Sequence, residues 1–507
     1  MYNNRSRTKM SERNVVVSIV GRIVSMLTSF VGRSVFVSVL SAQYLGLGGF
    51  FGNIFAVISL CELGVGTAIA QSLYKPLSKN DEYEIAAVMR YFSKIYSAIA
   101  LVTLCLSLCA IPILPQVVKS EIDYNIVLMS YILFTTHAFF SYILAPKRCL
   151  VVCDQRMYVV TAVRSIFSVV ALVIQCVVLA VTKNYVLYLV CRIFVLTLED
   201  IAICYYADKR YPFLSMKLPV SKQYKKSLFT NVKALMWHKV GGTLSRSTDS
   251  ILISYFVGLS CMGKYSNYAL VIGTIVAFFD VAVNAVSASV GNLGAGDRGN
   301  KSEKVMRRLY FINFWLLTVG TSIIVSILNP FIELWLGSDM LFSDFEMLVV
   351  VSSFYFSCIR DPVQIFVSSF GLFKESRFLP MLRAAVNLVL SILFVRNMGI
   401  SGVFLGTTLS TILVPLCGEV GVLYKYGFSM KPGAFYKEML SYIGVSLLCS
   451  SLCFVLTYNI RITLVGVVVR CVSAFCASNA LLLIFCSHSE YFDDMIRILK
   501  KVKLKKK

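Results

Sequence analysis

The chain of 507 residues is 57% hydrophobic and only 15% charged, with a mean hydropathy of +0.75 and a formal net charge of +23. That much apolar surface exceeds what one soluble core can bury, so an ordinary soluble domain is excluded and the chain reads as a multi-pass membrane protein. Apolar runs of about 18 to 25 residues suit helices crossing a hydrocarbon layer of about 30 Å, and they are too long and unbroken for the strands of an outer-membrane barrel, so the fold class is all-α.

In chain order, residues 1–13 carry basic side chains but no short apolar core ending in a small-residue cleavage site, and they read as a cytoplasmic lead-in. About fourteen spans follow, near 14–40, 47–72, 91–111, 125–145, 158–182, 185–207, 233–257, 264–290, 309–335, 346–370, 378–396, 400–424, 438–457 and 461–487. Six of them make an N-terminal lobe over 14–210, a cytoplasmic linker covers 211–232, and six more make a C-terminal lobe over 233–425. An appended helix pair occupies 438–487, and 488–507 is a basic cytoplasmic tail ending ILKKVKLKKK.

With the N-terminus inside, about two thirds of the Lys and Arg fall on inner loops or tails, and only Lys119, Lys183, Lys264, Arg396 and Arg461 fall on outer loops. The bias sets both termini in the cytoplasm of a cell-membrane protein. It also removes the case for a nucleic-acid partner, because SKQYKKS, DRGNKSEKVMRR and the tail are explained as inner-face anchors near anionic membrane lipid.

Shifting the chain against itself by 217 residues places Leu45-Gly46 on Met262-Gly263 and Val88-Met89-Arg90 on Val305-Met306-Arg307. Six spans fit in each shifted unit, and an even number makes both copies enter from the same side. The expectation is two pseudo-symmetric six-helix lobes, parallel repeats about an axis along the membrane normal, with the last two spans unpaired.

The first span carries a basic stripe. At about 100° per residue, Ser18, Arg22, Ser25, Ser29 and Arg33 fall within roughly 80° of arc along about 22 Å of helix. An Arg near the bilayer centre costs about 2.5–3.5 kcal/mol on insertion scales. Each alone can snorkel, but two on one face with hydroxyls between them fit water or a buried partner better. The first span of the second lobe repeats the habit with Lys239, Thr243, Arg246 and Ser250, and Asp249 stands at the edge as an ion-pair partner for Arg246.

Further basic residues within spans are Lys94, Arg164, Arg192, Arg360, Arg383 and Arg470; the comparable acids are Glu62, Glu199, Asp200, Asp249, Asp280, Asp361 and Glu419. The expected interior is net cationic, and a low-dielectric cavity so lined favours an anionic cargo. Guanidinium suits phosphate through paired hydrogen bonds. Glu62, Asp249 and Asp361 are the candidates for ion pairing with a neighbouring Arg or for proton exchange.

Glycine gathers at both ends of the second span, in GLGGFFGN at 46–53 and ELGVGTA at 62–68, making Gly46, Gly64 and Gly66 hinge candidates; Pro362 and Pro415 are possible kinks. Nearly all of the 16 cysteines lie in or beside apolar segments, so neither a disulfide framework nor a zinc site is expected. His137, His238 and His488 assemble no catalytic site, no phosphate-cradling nucleotide motif appears, and no cofactor is called beyond a coupling ion, H+ or Na+.

The sequence GRS at 32–34, YLGLGGFFGN at 44–53, ELGVGTA, and LYKP at 73–76 followed by NDE at 80–82 resembles bacterial polysaccharide export proteins. These are the lipid-linked oligosaccharide flippases (O-antigen, capsule or teichuronic type) of the superfamily that also holds the multidrug and toxic-compound exporters. The specific cluster covers roughly the first hundred residues; beyond it the resemblance rests on span count and spacing. It implies a V-shaped, MATE-like transporter with alternating access, not an enzyme, and a glycan cargo on undecaprenyl pyrophosphate. Partners would be membrane lipid and the glycosyltransferases and polymerase that make the glycan.

On that reading Arg22, Arg33, Lys239 and Arg246 would contact pyrophosphate or acidic sugar, with Arg360 and Arg383 behind them, and the appended pair would offer a groove for the lipid tail. The rivals are a cation-coupled multidrug exporter, which would display acids, and a glycan polymerase, which would need a larger outer loop than the dozen or so residues at 112–124 or 336–345.

Overall fold

The computed structural model describes residues 4–62, 65–118, 122–216, 247–296, 299–487, 489–495 and 497. Every regular element among them is helical, and the chain divides by its contacts into two units, Met1–Gly263 and Lys264–Lys507. Among the described residues, eight helical stretches are long and apolar enough to cross a membrane. This number is smaller than the spans read from hydropathy because the second and tenth spans are broken helices, the helix Tyr185–Arg210 carries several charges, the span near 233–257 lies partly outside the described residues, and one stretch, Phe373–Phe428, holds two antiparallel arms.

The first unit contains α1 (Asn4–Val39), α2 (Ala42–Ile58), α3 (Val65–Lys79), α4 (Glu82–Ala110), α5 (Tyr124–Cys153), α6 (Met157–Thr182) and α7 (Tyr185–Arg210). Side chains fix several starts: Asp81 accepts from the Glu84 amide at 2.9 Å, and Asn184 from the Leu187 amide at 3.0 Å, satisfying otherwise orphaned donors. The second span is not one helix: α2 tightens into a 3-10 turn over Ser59–Glu62 before α3 begins.

Helix α1 lies on α6 through small residues. A Cβ on Gly21 would come within 2.5 Å of Thr161, one on Gly32 within 3.2 Å of Leu172, and the Thr28 and Ser168 hydroxyls are 2.9 Å apart. Near its N-terminal end, Asn14 accepts from the Tyr158 amide at 2.8 Å and Arg13 lies over the Tyr158 ring.

Gly46 is a packing glycine. A Cβ there would stand 1.9 Å from the Leu259 carbonyl oxygen, and one on Gly263 would stand 2.0 Å from the Ala42 carbonyl oxygen. The 217-residue shift carries Ala42 to Leu259 and Gly46 to Gly263, so this crossing of α2 with the start of α8 (Leu259–Gly296) is its own image under the repeat. It also explains why residues up to Gly263 group with the first unit.

The second unit continues α8 and adds α9 (Asn300–Leu336), α10 (Asp344–Cys358), α11 (Asp361–Ser369), α12 (Leu379–Thr411), α13 (Gly433–Tyr458) and α14 (Leu464–Cys486). A reciprocal capping box between Ser343 and Glu346 starts α10. The tenth span breaks between α10 and α11, and Pro362 sits in the first turn of α11, where its missing N–H costs nothing.

The eleventh and twelfth spans are one hairpin. Gly399, at φ +56°, reverses the chain, and the arms approach so closely that a Cβ on Gly402 or Gly406 would lie 2.4 Å from Phe394 or Ser391. Asn387 Nδ2 donates to Thr407 Oγ1 at 2.7 Å across the same seam. Pro415 lies in a wide π turn, Ile412–Leu416, the form a helix takes where a backbone donor is missing.

Candidate functional site

The arc positions of α1 separate three surfaces. Gly21, Thr28 and Gly32 face α6; Ile19, Val20, Ile23, Leu27 and Val31 form an exposed apolar arc, about half or more exposed each. The stripe of Ser18, Arg22, Ser25, Ser29 and Arg33 falls between them, roughly 80° from the centre of the packed face. Arg22, Ser25 and Ser29 are exposed there, while Arg33 is half-buried. The stripe is therefore neither the packing face of α1 within its unit nor part of its apolar arc.

The first unit also holds a row of ion pairs along α7. Glu199 and Asp200 on α7 are buried; Arg164 Nε of α6 donates to Glu199 Oε1 at 3.1 Å, and Arg148 Nη1 of α5 to Asp200 Oδ1 at 3.0 Å. Lower on the same helix, Lys147 Nζ reaches Asp208 Oδ2 at 2.6 Å. Each of these pairs ties α7 to a neighbouring helix.

Glu62 ends the 3-10 turn after α2 and accepts a 2.6 Å hydrogen bond from Tyr96 Oη. Gly66 lies beside this pair; a Cβ there would stand 3.4 Å from Tyr96 Oη and 3.7 Å from Glu62 Oε1, so a larger residue would press on the carboxylate's shell. Cys149 and Cys153 lie 4.0 Å apart as free thiols.

In the second unit Arg360 reaches across to Glu419, Nη2 to Oε1 at 3.6 Å, both largely buried. Its sequence neighbour Asp361 stands in the first turn of α11, and Arg383 is half-buried in the first arm of α12. Asp249 is 7% exposed. Lys239, Arg246 and Gly64 lie outside the described residues.

Arg470 has a structural position. Its guanidinium donates to the carbonyls of Tyr458 at 3.0 Å and Ile460, and to that of Ser326 at 3.5 Å, closing the turn between α13 and α14 against α9. The structure also brings forward Arg192, which the sequence offers only as one intramembrane cation among several.

No family model and no curated relative matches the chain in sequence. Solved structures match it in fold. The lipid II flippase MurJ, in an inward closed conformation, superposes with a TM-score of 0.66 at 12% identity, covering 95% of this chain and 99% of that one. An inward-facing multidrug resistance MATE family transporter of the MOP superfamily gives 0.65 at 13% identity, covering 80% and 98%. A MOP superfamily transporter from Pyrococcus furiosus, described by a binding pocket of reverse polarity, gives 0.52 at 12% identity, covering 82% and 96%.

The fold is thus the one shared by MOP superfamily transporters, a polytopic all-helical membrane architecture. Within it, MATE and MurJ structures are both similar to this chain.

Proposed function

We propose that the chain is a secondary transporter, a flippase moving an undecaprenyl-pyrophosphate-linked oligosaccharide from the cytoplasmic to the outer leaflet of the cell membrane by alternating access. The observation that carries this reading is the separate arc of the α1 stripe, which presents Arg22 and Arg33 away from both the helix seam and the apolar arc. Guanidinium groups on a wet face match a pyrophosphate through paired, charge-assisted hydrogen bonds, whereas a cationic drug would be repelled.

Arg22 and Arg33 are the proposed cargo contacts, joined in the second repeat by Lys239, the counterpart of Arg22 under the 217-residue shift, and by Arg246. Arg360 and Arg383 stand behind them, Arg360 with part of its charge engaged by Glu419. The polyprenyl tail would stay in lipid along the exposed apolar surface of α13 and α14, where Leu447, Val455, Leu464, Val465 and Val468 project outward. Coupling to H+ or Na+ is assigned to Glu62, whose carboxylate and phenol partner stand at the break between α2 and α3.

Replacing Arg22 and Arg33 together by Ala is expected to abolish surface polysaccharide in a strain lacking the native gene while the protein persists in the membrane. Normal export by that variant would overturn the proposal. The likeness to multidrug MATE structures supports a second reading, a cation-coupled drug exporter. Drug resistance on overexpression, without a glycan defect on deletion, is the result that would favour it.

A further inference from the structure

Arg192 occupies an unusual place on α7. The exposed apolar residues Leu187, Val190, Phe194, Leu198, Ile201 and Tyr205 fall within roughly 80° of arc, as expected of a surface turned to lipid. Arg192 lies roughly 160° from the centre of that arc, among the buried Tyr185, Val195, Glu199 and Ile203, yet it is itself exposed. An exposed guanidinium on an otherwise buried face borders polar interior space rather than hydrocarbon.

The aromatic contacts between α1 and α7 show what Arg192 meets. Phe36 lies 6.1 Å from the Tyr185 ring and 5.2 Å from the Tyr188 ring, centroid to centroid. The chain order of α1 and α7 makes them antiparallel, so one turn inward from this stack α1 presents Arg33 and α7 presents Arg192. The charge of Arg192 acts directly on Arg33, as expected of this neighbouring placement.

All the acids of α7 are engaged elsewhere: Glu199 by Arg164, Asp200 by Arg148 and Asp208 by Lys147. The Phe36–Tyr188 contact thus brings Arg33 and Arg192 to one level, and two like charges at one level attract an anion. Nearby, Tyr185 Oη and His137 Nδ1 are buried with no hydrogen-bond partner, and the charges of Asp200, Arg192 and Arg148 act on His137. Tyr44, 4.7 Å from the Tyr185 ring, completes an aromatic wall on the outer side.

We infer that Arg33 and Arg192 form an outer anion station, a paired-guanidinium site for a pyrophosphate whose attached sugar rests against Phe36, Tyr44, Tyr185 and Tyr188. The station rests on the flippase reading and extends it. Arg22 stands about 16 Å deeper along α1, eleven residues toward the inner end, so the helix carries two separate points of attachment for one charged group in transit.

The test uses the full chain in phosphatidylcholine nanodiscs, titrated with inorganic pyrophosphate and with farnesyl pyrophosphate. Arg192→Gln is expected to weaken both by about tenfold or more, the loss of a charged hydrogen-bond pair, and Arg192→Lys to recover most of that loss. If Arg192→Lys falls as far as Arg192→Gln, with both lowering the thermal midpoint, Arg192 is structural and the station is overturned.

Wild-type binding that Arg22→Gln weakens and Arg192→Gln leaves unchanged overturns the station while sparing the flippase reading. No binding of either probe by the wild type sinks both. Phosphatidylglycerol in the nanodisc that competes as well as pyrophosphate would make the site a lipid-headgroup contact, which also overturns it.

Discussion

The third spans of the two repeats, α4 and α9, occupy equivalent places and meet opposite surroundings. On α4, Leu101, Val102, Cys105, Leu106, Leu108 and Cys109 are exposed. The 217-residue shift carries five of these positions to Thr318, Val319, Ser322, Val325 and Ser326 of α9, all buried. What covers them is the helix pair the first unit lacks. Thr318 and Ser446 hydroxyls lie 2.6 Å apart, Ser322 and Ser450 3.2 Å apart, and Trp315 Nε1 donates to Asn479 Oδ1 at 3.1 Å.

The comparison teaches how a repeat records its neighbours. Where a face meets lipid, the chain needs apolar side chains and nothing more; where it meets another helix in the membrane, burial adds no hydrophobic gain and hydroxyl contacts with small residues hold the pair. The constant spacing of 128 between partners on α9 and α13 also shows that these two helices run parallel.

The sharpest break of this comparison is at the N-terminal ends of α4 and α9. Arg307 of α9 donates to Glu303 at 2.6 Å and to Glu438 of α13 at 2.9 Å, whereas its repeat counterpart Arg90 of α4 is half-buried beside no appended helix. Arg307→Ala leaves two largely buried carboxylates facing each other and is expected to cost about 3–5 kcal/mol. Arg90→Ala is expected to stay within about 0.5 kcal/mol. Thermal midpoints of both detergent-solubilised variants measure the contrast, and equal losses would show that the appended pair does not create it.

Next in size is Arg470→Leu, which strands the carbonyls of Tyr458, Ile460 and Ser326 and should cost about 2–3 kcal/mol. Protease cleavage near the α13–α14 turn, absent from the wild type, would report it. An unchanged midpoint would mean that other donors satisfy those carbonyls.

Much of this architecture was legible in the chain. The repeat offset and the turn near Gly399 follow from local words and punctuation, because glycine placement and charge at loops are properties of short segments. The breaks at Ser59–Glu62 and between α10 and α11 were less so: glycine and Asp361-Pro362 signal a weak point without saying whether the helix bends or stops. Partners were least legible. Arg360 stands beside Asp361 in sequence but pairs with Glu419 from a distant helix, since adjacent helical residues do not face each other.

Among cations, sequence ranks Arg192 with Arg470. One borders the α1 stripe and the other closes a turn, and the distinction depends on which arc of each helix its neighbours leave exposed. The first-helix stripe was visible because its period is internal to one helix; the neighbouring arc on α7 became meaningful only once Phe36 and Tyr188 had been brought together.

The finest test of the α4–α9 contrast is hydroxyl by hydroxyl. Ser446 receives the Tyr355 phenol at 2.8 Å as well as sharing a hydrogen bond with Thr318, so Ser446→Ala removes both contacts and should cost about 1–1.5 kcal/mol. Thr318→Val removes one contact while Tyr355 still serves Ser446, and a loss of about 0.6 kcal/mol is expected, the usual scale for such bonds between membrane helices. In a double-mutant cycle the Thr318–Ser446 coupling should match that smaller figure. Zero coupling would mean that the hydroxyls sit together only because the helices do, and the seam would then be held by shape and by its two arginine anchors.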